Sequence, residues 1–224
     1  APGGIVGTVG DLLRYAQAHM GDARLLSAES QARMQEPQVA ALGDYERMCV
    51  TWFSNELSDG TRVIRHSGGT NGQIAGFWIV PARRFAMAVL TNAGNGGLLT
   101  RALYLQALRD YLGLDDADPQ PIDVPAERLR AVTGRYAGAL QDNVIELRDG
   151  QLWLQAIPKG GFPRADSPPG PTPPPAPLRF YDERCAVITE GVYAGARAEF
   201  GDWRDGRPAW LRSGARARRR ITTE

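Results

Sequence analysis

The sequence predicts an α+β chain: an antiparallel sheet flanked by helices, followed by a small antiparallel β-barrel. Three observations carry this. Between Thr61 and Asn92, Val63, Ile64, Ile74, Phe77, Trp78, Ile79, Val80, Met87, Val89 and Leu90 make three successive strands too apolar for a sheet with one solvated face, so something must cover both sides. Leu98, Leu99, Ala102, Leu103, Leu105, Leu108, Tyr111 and Leu112 then fall on a helical period with arginines between them, which predicts a helix packed across that sheet. After the run Asp115 to Pro125, short β-like runs recur between tight turns, the pattern of a small barrel or sandwich.

Taken in order, Gly3, Gly4, Gly7 and Gly10 punctuate the start, and Thr8 with Asp11 forms a capping-box pattern before a helix from Leu12 to Met20. No strand precedes these glycines and no Gly-Lys-Ser/Thr follows, so they do not read as a phosphate loop. His19 falls near the helix C-terminus, where the dipole favours a cation. Gly21 ends this helix. Ser27 caps a second one that runs through Gln35 and is stopped by Pro37. Arg47 to Leu57 reads as a strand, and Asp59-Gly60 as the hairpin turn into the next. With the strands on either side of Pro81-Ala82-Arg83-Arg84 this makes a four-stranded meander.

Domain boundaries are expected at 1–114 for the sheet and its helices, 115–127 for a linker, and 128–224 for the barrel. In the last part, Thr133–Tyr136, Val144–Leu147, Leu152–Ile157, Leu178–Tyr181, Ala186–Thr189, Ala196–Phe200 and Ala209–Leu211 read as strands. Pro168 to Pro177 holds seven prolines in ten residues and reads as a stiff solvent loop. Arg212, Arg216, Arg218, Arg219 and Arg220 have no aromatic platform apparent beside them and read as a solvated edge or tail rather than a nucleic-acid patch.

A net charge of +1 over 224 residues gives no overall field toward nucleic acid or an anionic membrane. The uncharged stretch Phe85 to Thr100, interrupted by Asn and Gly, is too short to span a bilayer. Two histidines and scattered carboxylates offer no metal-ligand spacing, and no organic cofactor is implied. Cys49 and Cys185 stand far apart and form no disulfide framework, so the compartment is left unassigned, with a periplasmic or secreted place open.

The chemistry to explain is His66-Ser67-Gly68-Gly69, expected at the end of a strand that closes in a glycine-rich turn. Successive strand side chains point to opposite faces, so His66 does not serve as base to Ser67. A glycine pair there lets a ligand approach the backbone, and exposed N–H groups can stabilise an oxyanion.

This motif, followed by Thr70-Asn71-Gly72-Gln-Ile-Ala-Gly-Phe and Phe85-Ala-Met-Ala-Val-Leu-Thr-Asn-Ala, resembles the third active-site motif and flanking strands of the serine β-lactamase and penicillin-binding-protein-like hydrolases. The motif there is Lys-Thr-Gly, with His-x-Gly as the variant common in esterase and D-aminopeptidase relatives. Ala1-Pro-Gly-Gly to Asp11-Leu-Leu-Arg-Tyr-Ala resembles the segment preceding the motif, and the likeness covers about the first half of the chain. Leu129-(x)4-Gly134-Arg-Tyr136 resembles the opening of the lipocalin-like domains appended to such hydrolases. The resemblance implies that His66 orients a catalytic tyrosine or binds a substrate carboxylate. It implies too that Gly68 keeps the strand open and that the Gly69 N–H is one oxyanion donor. Ser67, Thr70 and Asn71 would be substrate-binding positions.

Two family motifs are missing. The only lysine, Lys159, has Ala156 three residues before it, so there is no Ser-x-x-Lys, and no tyrosine is followed two residues later by asparagine. Both precede the third motif in the family, so the chain is expected to be the C-terminal part of a longer serine hydrolase cleaving an amide, lactam or ester, inactive by itself. Its partners would be a small-molecule or peptide substrate and a missing N-terminal segment or companion chain. The alternative is a non-catalytic ligand-binding or regulatory module derived from that family.

Overall fold

The computed structural model describes residues 5–22, 25–70, 72–116, 118–162, 164–214 and 216–221. The chain divides into two compact units, Ala1–Ala117 and Asp118–Glu224.

In the first unit, helix α1 (Val9–Ala18) starts at the capping box read from the sequence: the Thr8 hydroxyl accepts the Asp11 N–H at 3.2 Å, and the Asp11 carboxylate accepts the Thr8 N–H at 2.9 Å. Helix α2 (Ala28–Gln35) is capped by the Ser27 hydroxyl. Six strands follow as an antiparallel meander: β1 (Val39–Leu42), β2 (Glu46–Met48), β3 (Phe53–Glu56), β4 (Arg62–Thr70), β5 (Gln73–Val80) and β6 (Phe85–Thr91). Helix α3 (Gly96–Ala107) runs into a π-helical turn, Leu108–Leu112, that ends at Gly113 in the left-handed region. The sheet thus has two more strands than expected. The single strand read over Arg47 to Leu57 is two, broken at Cys49–Trp52, where the Cys49 N–H bonds the Trp52 carbonyl at 2.7 Å and Thr51 takes φ 69°.

Period-2 alternation sorts the sheet's apolar residues onto two faces. Ile64, Phe77 and Ile79 pack with Cys49, Trp52 and Ala16 of α1, with Met34 of α2 against them. Val63, Trp78 and Val80 pack with Leu57, Tyr104 of α3 and Leu108. Both faces are covered by helices, as the doubly apolar strands require. The indole of Trp78 stacks on the Tyr104 ring at 4.7 Å and 9°. Asp116, in the stretch read as a linker, is buried and accepts hydrogen bonds from the Tyr45 hydroxyl at 3.1 Å and the Tyr104 hydroxyl at 3.3 Å. Burial and this carboxylate push the Tyr104 hydroxyl well above its ordinary value.

In the second unit, helix α4 (Ala126–Val132) precedes eight antiparallel strands: β7 (Gly134–Ala137), β8 (Gln141–Arg148), β9 (Gln151–Pro158), β10 (Ala176–Phe180), β11 (Cys185–Ile188), β12 (Arg197–Arg204), β13 (Arg207–Ser213) and β14 (Arg216–Ile221). They close into a barrel. Strand β14 pairs with β13 on one side and β7 on the other, so the arginine-rich end is neither an edge nor a tail. Closure removes both sheet edges, which is what β14 supplies. Arg220 reaches the Ala131 carbonyl at 2.7 Å, and buried Arg218 bonds the Gln141 carbonyl at 3.3 Å.

The barrel interior is filled rather than hollow. Tyr136, Phe180 and Phe200 meet at ring separations of 5.6 and 6.1 Å, among buried Ile145, Leu152, Leu178 and Leu211. The Pro-rich segment is exposed over most of its length and tied down where the Gln155 amide donates to the Pro173 carbonyl at 2.6 Å. Cys49 and Cys185 are free and buried, and burial pushes the Cys185 thiol up to about 12. Among the described residues no helix is long and apolar enough to cross a membrane.

Candidate functional site

The motif His66-Ser67-Gly68-Gly69 lies inside β4, not in a turn after it. Its residues pair with β5 as His66↔Phe77, Ser67↔Gly76, Gly68↔Ala75, Gly69↔Ile74 and Thr70↔Gln73. The reason is the two-residue Asn71-Gly72 connection, with Gly72 at φ 78°, which lets the ladder continue to the last possible pair. The expected glycine-rich turn shrinks to those two residues, and Asn71 itself lies outside the described residues.

On its other side β4 is paired only from Arg62 to Arg65, because β3 starts at Phe53. Beyond Arg65 that edge of β4 has no neighbouring strand among the described residues. The orientation of the peptide groups along it follows from one hydrogen bond. The Leu57 N–H bonds the Thr61 carbonyl at 2.9 Å, so Thr61 turns its backbone groups toward β3. With no register shift along β4, the odd-numbered residues face β3 and the even-numbered ones face β5. Ser67 and Gly69 therefore direct their N–H and carbonyl groups at the open edge, and His66 and Gly68 direct theirs into the sheet. His66, Ser67, Gly68 and Gly69 are all exposed.

A side chain added at Gly68 would meet nothing within 4 Å, whereas at Gly69 it would stand 3.0 Å from the Ile74 Cδ1. Local packing thus asks for no glycine at position 68; the space beside it is open to a ligand. The His66 ring lies 5.9 Å from the Phe53 ring, and the alternation of β4 puts it on the face opposite Ser67, which rules out a dyad between neighbours.

Two constructions hold this edge in place. Beneath it, Trp52 packs against Phe77, the partner of His66, at 5.8 Å, and Tyr15 and His19 of the α1 region extend the aromatic cluster. His19 is buried edge-on between Tyr15 at 4.8 Å and Trp52 at 4.9 Å, and neither ring nitrogen has a hydrogen-bond partner among the described residues. Burial lowers its pKa, so desolvation overrides the dipole position read from the sequence and keeps the ring neutral. On the other face Arg65, next to the motif, forms an ion pair with buried Glu46 of β2, bracing β4 across the short β3. Neither Trp52 nor Arg65 was singled out in the sequence. The residues Cys49 to Trp52 carry no Gly, Pro, Asn or Asp to announce the turn that delays the start of β3 to Phe53 and bares the edge.

No group of three or more His, Cys, Asp or Glu side chains gathers among the described residues. The site as it stands offers two backbone donors, an imidazole, and hydroxyls on Ser67 and Thr70.

Residues 1–110 match the family described as Beta-lactamase. Among solved structures, a SurE crystal structure with D-Leu matches at 20% identity and a TM-score of 0.62, covering 96% of this chain and 50% of that one. A second SurE structure matches at 20% identity and 0.61, with 96% and 48% covered. The octameric penicillin-binding protein homologue from Pyrococcus abyssi matches at 22% and 0.42, with 95% and 46% covered. At these identities the SurE likeness is one of fold, over both units. The chain spans about half the length of the solved structures it matches. No curated protein matches it.

Proposed function

We propose that this chain supplies the third-motif strand of a serine hydrolase that cleaves an amide, lactam or ester through an acyl-enzyme. The observation that carries this is the open edge of β4, where Ser67 and Gly69 present backbone donors beside an exposed His66. In that role the Gly69 N–H donates to the oxyanion of the tetrahedral intermediate. His66 orients the catalytic tyrosine or holds a substrate carboxylate. Ser67 and Thr70 line the substrate's path, Gly68 leaves room for it, and Asn71 keeps only the substrate-binding role that the resemblance implies.

The nucleophile, its base and the second oxyanion donor belong to a segment or companion chain carrying Ser-x-x-Lys and Tyr-x-Asn, motifs this sequence lacks. The serine Oγ attacks the scissile carbonyl and expels the amine or alcohol, and water then attacks the acyl-enzyme ester, releasing the carboxylic acid and the free serine. The histidine in place of lysine favours ester or D-amino-acid amide substrates over a dedicated lactamase role. The D-Leu held by a structure of similar fold makes a D-leucyl ester or amide a sensible first substrate. The alternative of a binding module with a ligand inside its barrel has the filled interior against it.

The test is intact-mass analysis of the protein as purified from its source, before and after incubation with a fluorophosphonate or a penicillin. The reading expects a longer or companion chain to take up the probe while associated with this sequence, and expects Gly69→Pro to abolish the labelling. If only this chain is present and it stays unlabelled, the hydrolase reading is wrong for the working protein and describes ancestry alone.

A further inference from the structure

The barrel carries a second candidate site on its outer wall, and this one does not depend on the hydrolase reading. Across β12, β13 and β14 runs a cleft of about 610 Å³, with Asp202, Arg204, Arg207, Trp210 and Arg219 among its lining. That is within the usual size of a small-ligand site. Phe200 and Leu211 point into the barrel core, so their neighbours Gly201 and Trp210 point outward. The indole of Trp210 lies on Gly201, where a Cβ would come within 1.9 Å of it, so the ring is laid against the wall by the lack of a side chain beneath. Arg219 stands directly opposite Trp210 in register. The aromatic platform that is not apparent beside these arginines in the sequence is supplied across the strands, by Trp210.

The charge is uneven. Residues 197–221 hold eight arginines against three carboxylates in a chain of net +1. Several of these arginines are committed: Arg204 holds Asp202 at 2.7 Å, Arg212 pairs with Glu199, and Arg218 and Arg220 bond backbone carbonyls. The side chains of Arg207 and Arg219 make no hydrogen bond or ion pair among the described residues. The cleft therefore offers a half-buried indole, with the Glu199-paired Arg212 guanidinium offset over it at 5.3 Å from the ring centroid, two uncommitted guanidinium groups and one carboxylate with lone pairs to spare.

We propose that this cleft binds an acidic sugar, a pyranose or short oligosaccharide bearing a carboxylate. The C–H face of the ring packs on Trp210, the carboxylate takes a bidentate guanidinium from Arg219 or Arg207, and ring hydroxyls donate to Asp202. Asp202, its charge offset by Arg204, favours a sugar over a nucleic acid because it accepts from ring hydroxyls that a DNA strand does not carry. A single indole also gives no run of stacking platforms along a strand.

The experiment is calorimetric titration of the full chain with tri-galacturonate, neutral galactotriose, oligo-thymidylate and inorganic phosphate. Tri-galacturonate is expected to bind, galactotriose and phosphate not to, and affinity is expected to fall about tenfold in Arg219→Ala and at least as far in Trp210→Ala. Trp210→Phe should retain most of it. Thermal melts check that each variant keeps its barrel, and a Trp210→Ala variant that fails to fold leaves Arg219→Ala and Arg207→Ala, both exposed, to decide. Binding of tri-galacturonate unchanged in the folded arginine variants, no binding at all, or tighter binding of oligo-thymidylate through the same residues each overturns the proposal.

Discussion

Gly76→Ala is the substitution by which packing behind the site is best tested. Gly76 is the β5 partner of Ser67, and the indole of Trp78 folds back over it. A Cβ there would stand 2.2 Å from Trp78 Cη2, 2.5 Å from Cζ3 and 3.2 Å from the Thr100 Cβ of α3. None of these is the free end of a flexible side chain, since Trp78 and Thr100 are 9% and 5% exposed. The indole must tilt, and among the described residues the ring it leans on is Tyr104, stacked at 4.7 Å. Overpacking of this kind costs ~1–3 kcal/mol, and losing a stacked pair ~0.5–1.5 kcal/mol, so the first unit should lose about 2–4 kcal/mol. Because two units need not unfold together, the assay is hydrogen exchange across a urea series, read on peptides from β5 and α3 separately from barrel peptides. A loss below about 0.5 kcal/mol, or one felt equally in the barrel, would refute the packing argument.

Three further outcomes are expected. His19 is buried neutral, so its folded pKa lies below its unfolded one; the unfolded chain binds the extra proton, and stability of the first unit is full above pH ~6.5 and falls as pH drops through that value. The slope is at most about 1.4 kcal/mol per pH unit, and chemical denaturation at pH 7 and pH 5 should show it disappear in His19→Gln. Burial works against ionised Asp142, yet hydrogen bonds from Lys159, Arg135 and the Gly138 N–H outweigh it and hold the carboxyl below its ordinary range. With its partners half-exposed, Asp142→Asn should cost the barrel ~1–3 kcal/mol above pH 5 and progressively less as pH falls through 3.8, measured by barrel-peptide exchange. Thr51 is a β-branched residue at φ 69°, so Thr51→Asn should stabilise the first unit by ~0.5 kcal/mol, read in the same way.

The sequence carries the architecture where local chemistry and period agree. Thr8 with Asp11, the two-sided apolar strands Ile74–Val80, and the stripe from Leu98 to Leu112 each name one element and its burial. It fails where tertiary context overrides local propensity. Cys49-Val-Thr-Trp52 is β-forming in every residue and yet turns, because burying Trp52 against Phe77 and His19 outweighs placing Thr51 in a left-handed conformation. The open edge of β4 follows from that turn and so was invisible, although the motif on it was not. The last strand has the opposite cause: arginines read as solvated, but in a closed barrel an alternating strand turns every second side chain inward, and Arg218 is buried there by bonding to backbone carbonyls.

The measurement closest to the central claim is the exchange rate of single amides along β4, followed by NMR in the intact chain. If Ser67 and Gly69 face an open edge, their N–H protons exchange at near the free-peptide rate, while those of His66 and Gly68, bonded into β5, are protected by orders of magnitude. Protection at Gly69 equal to that at Gly68 would mean that the edge is already closed, and with it the place for an oxyanion.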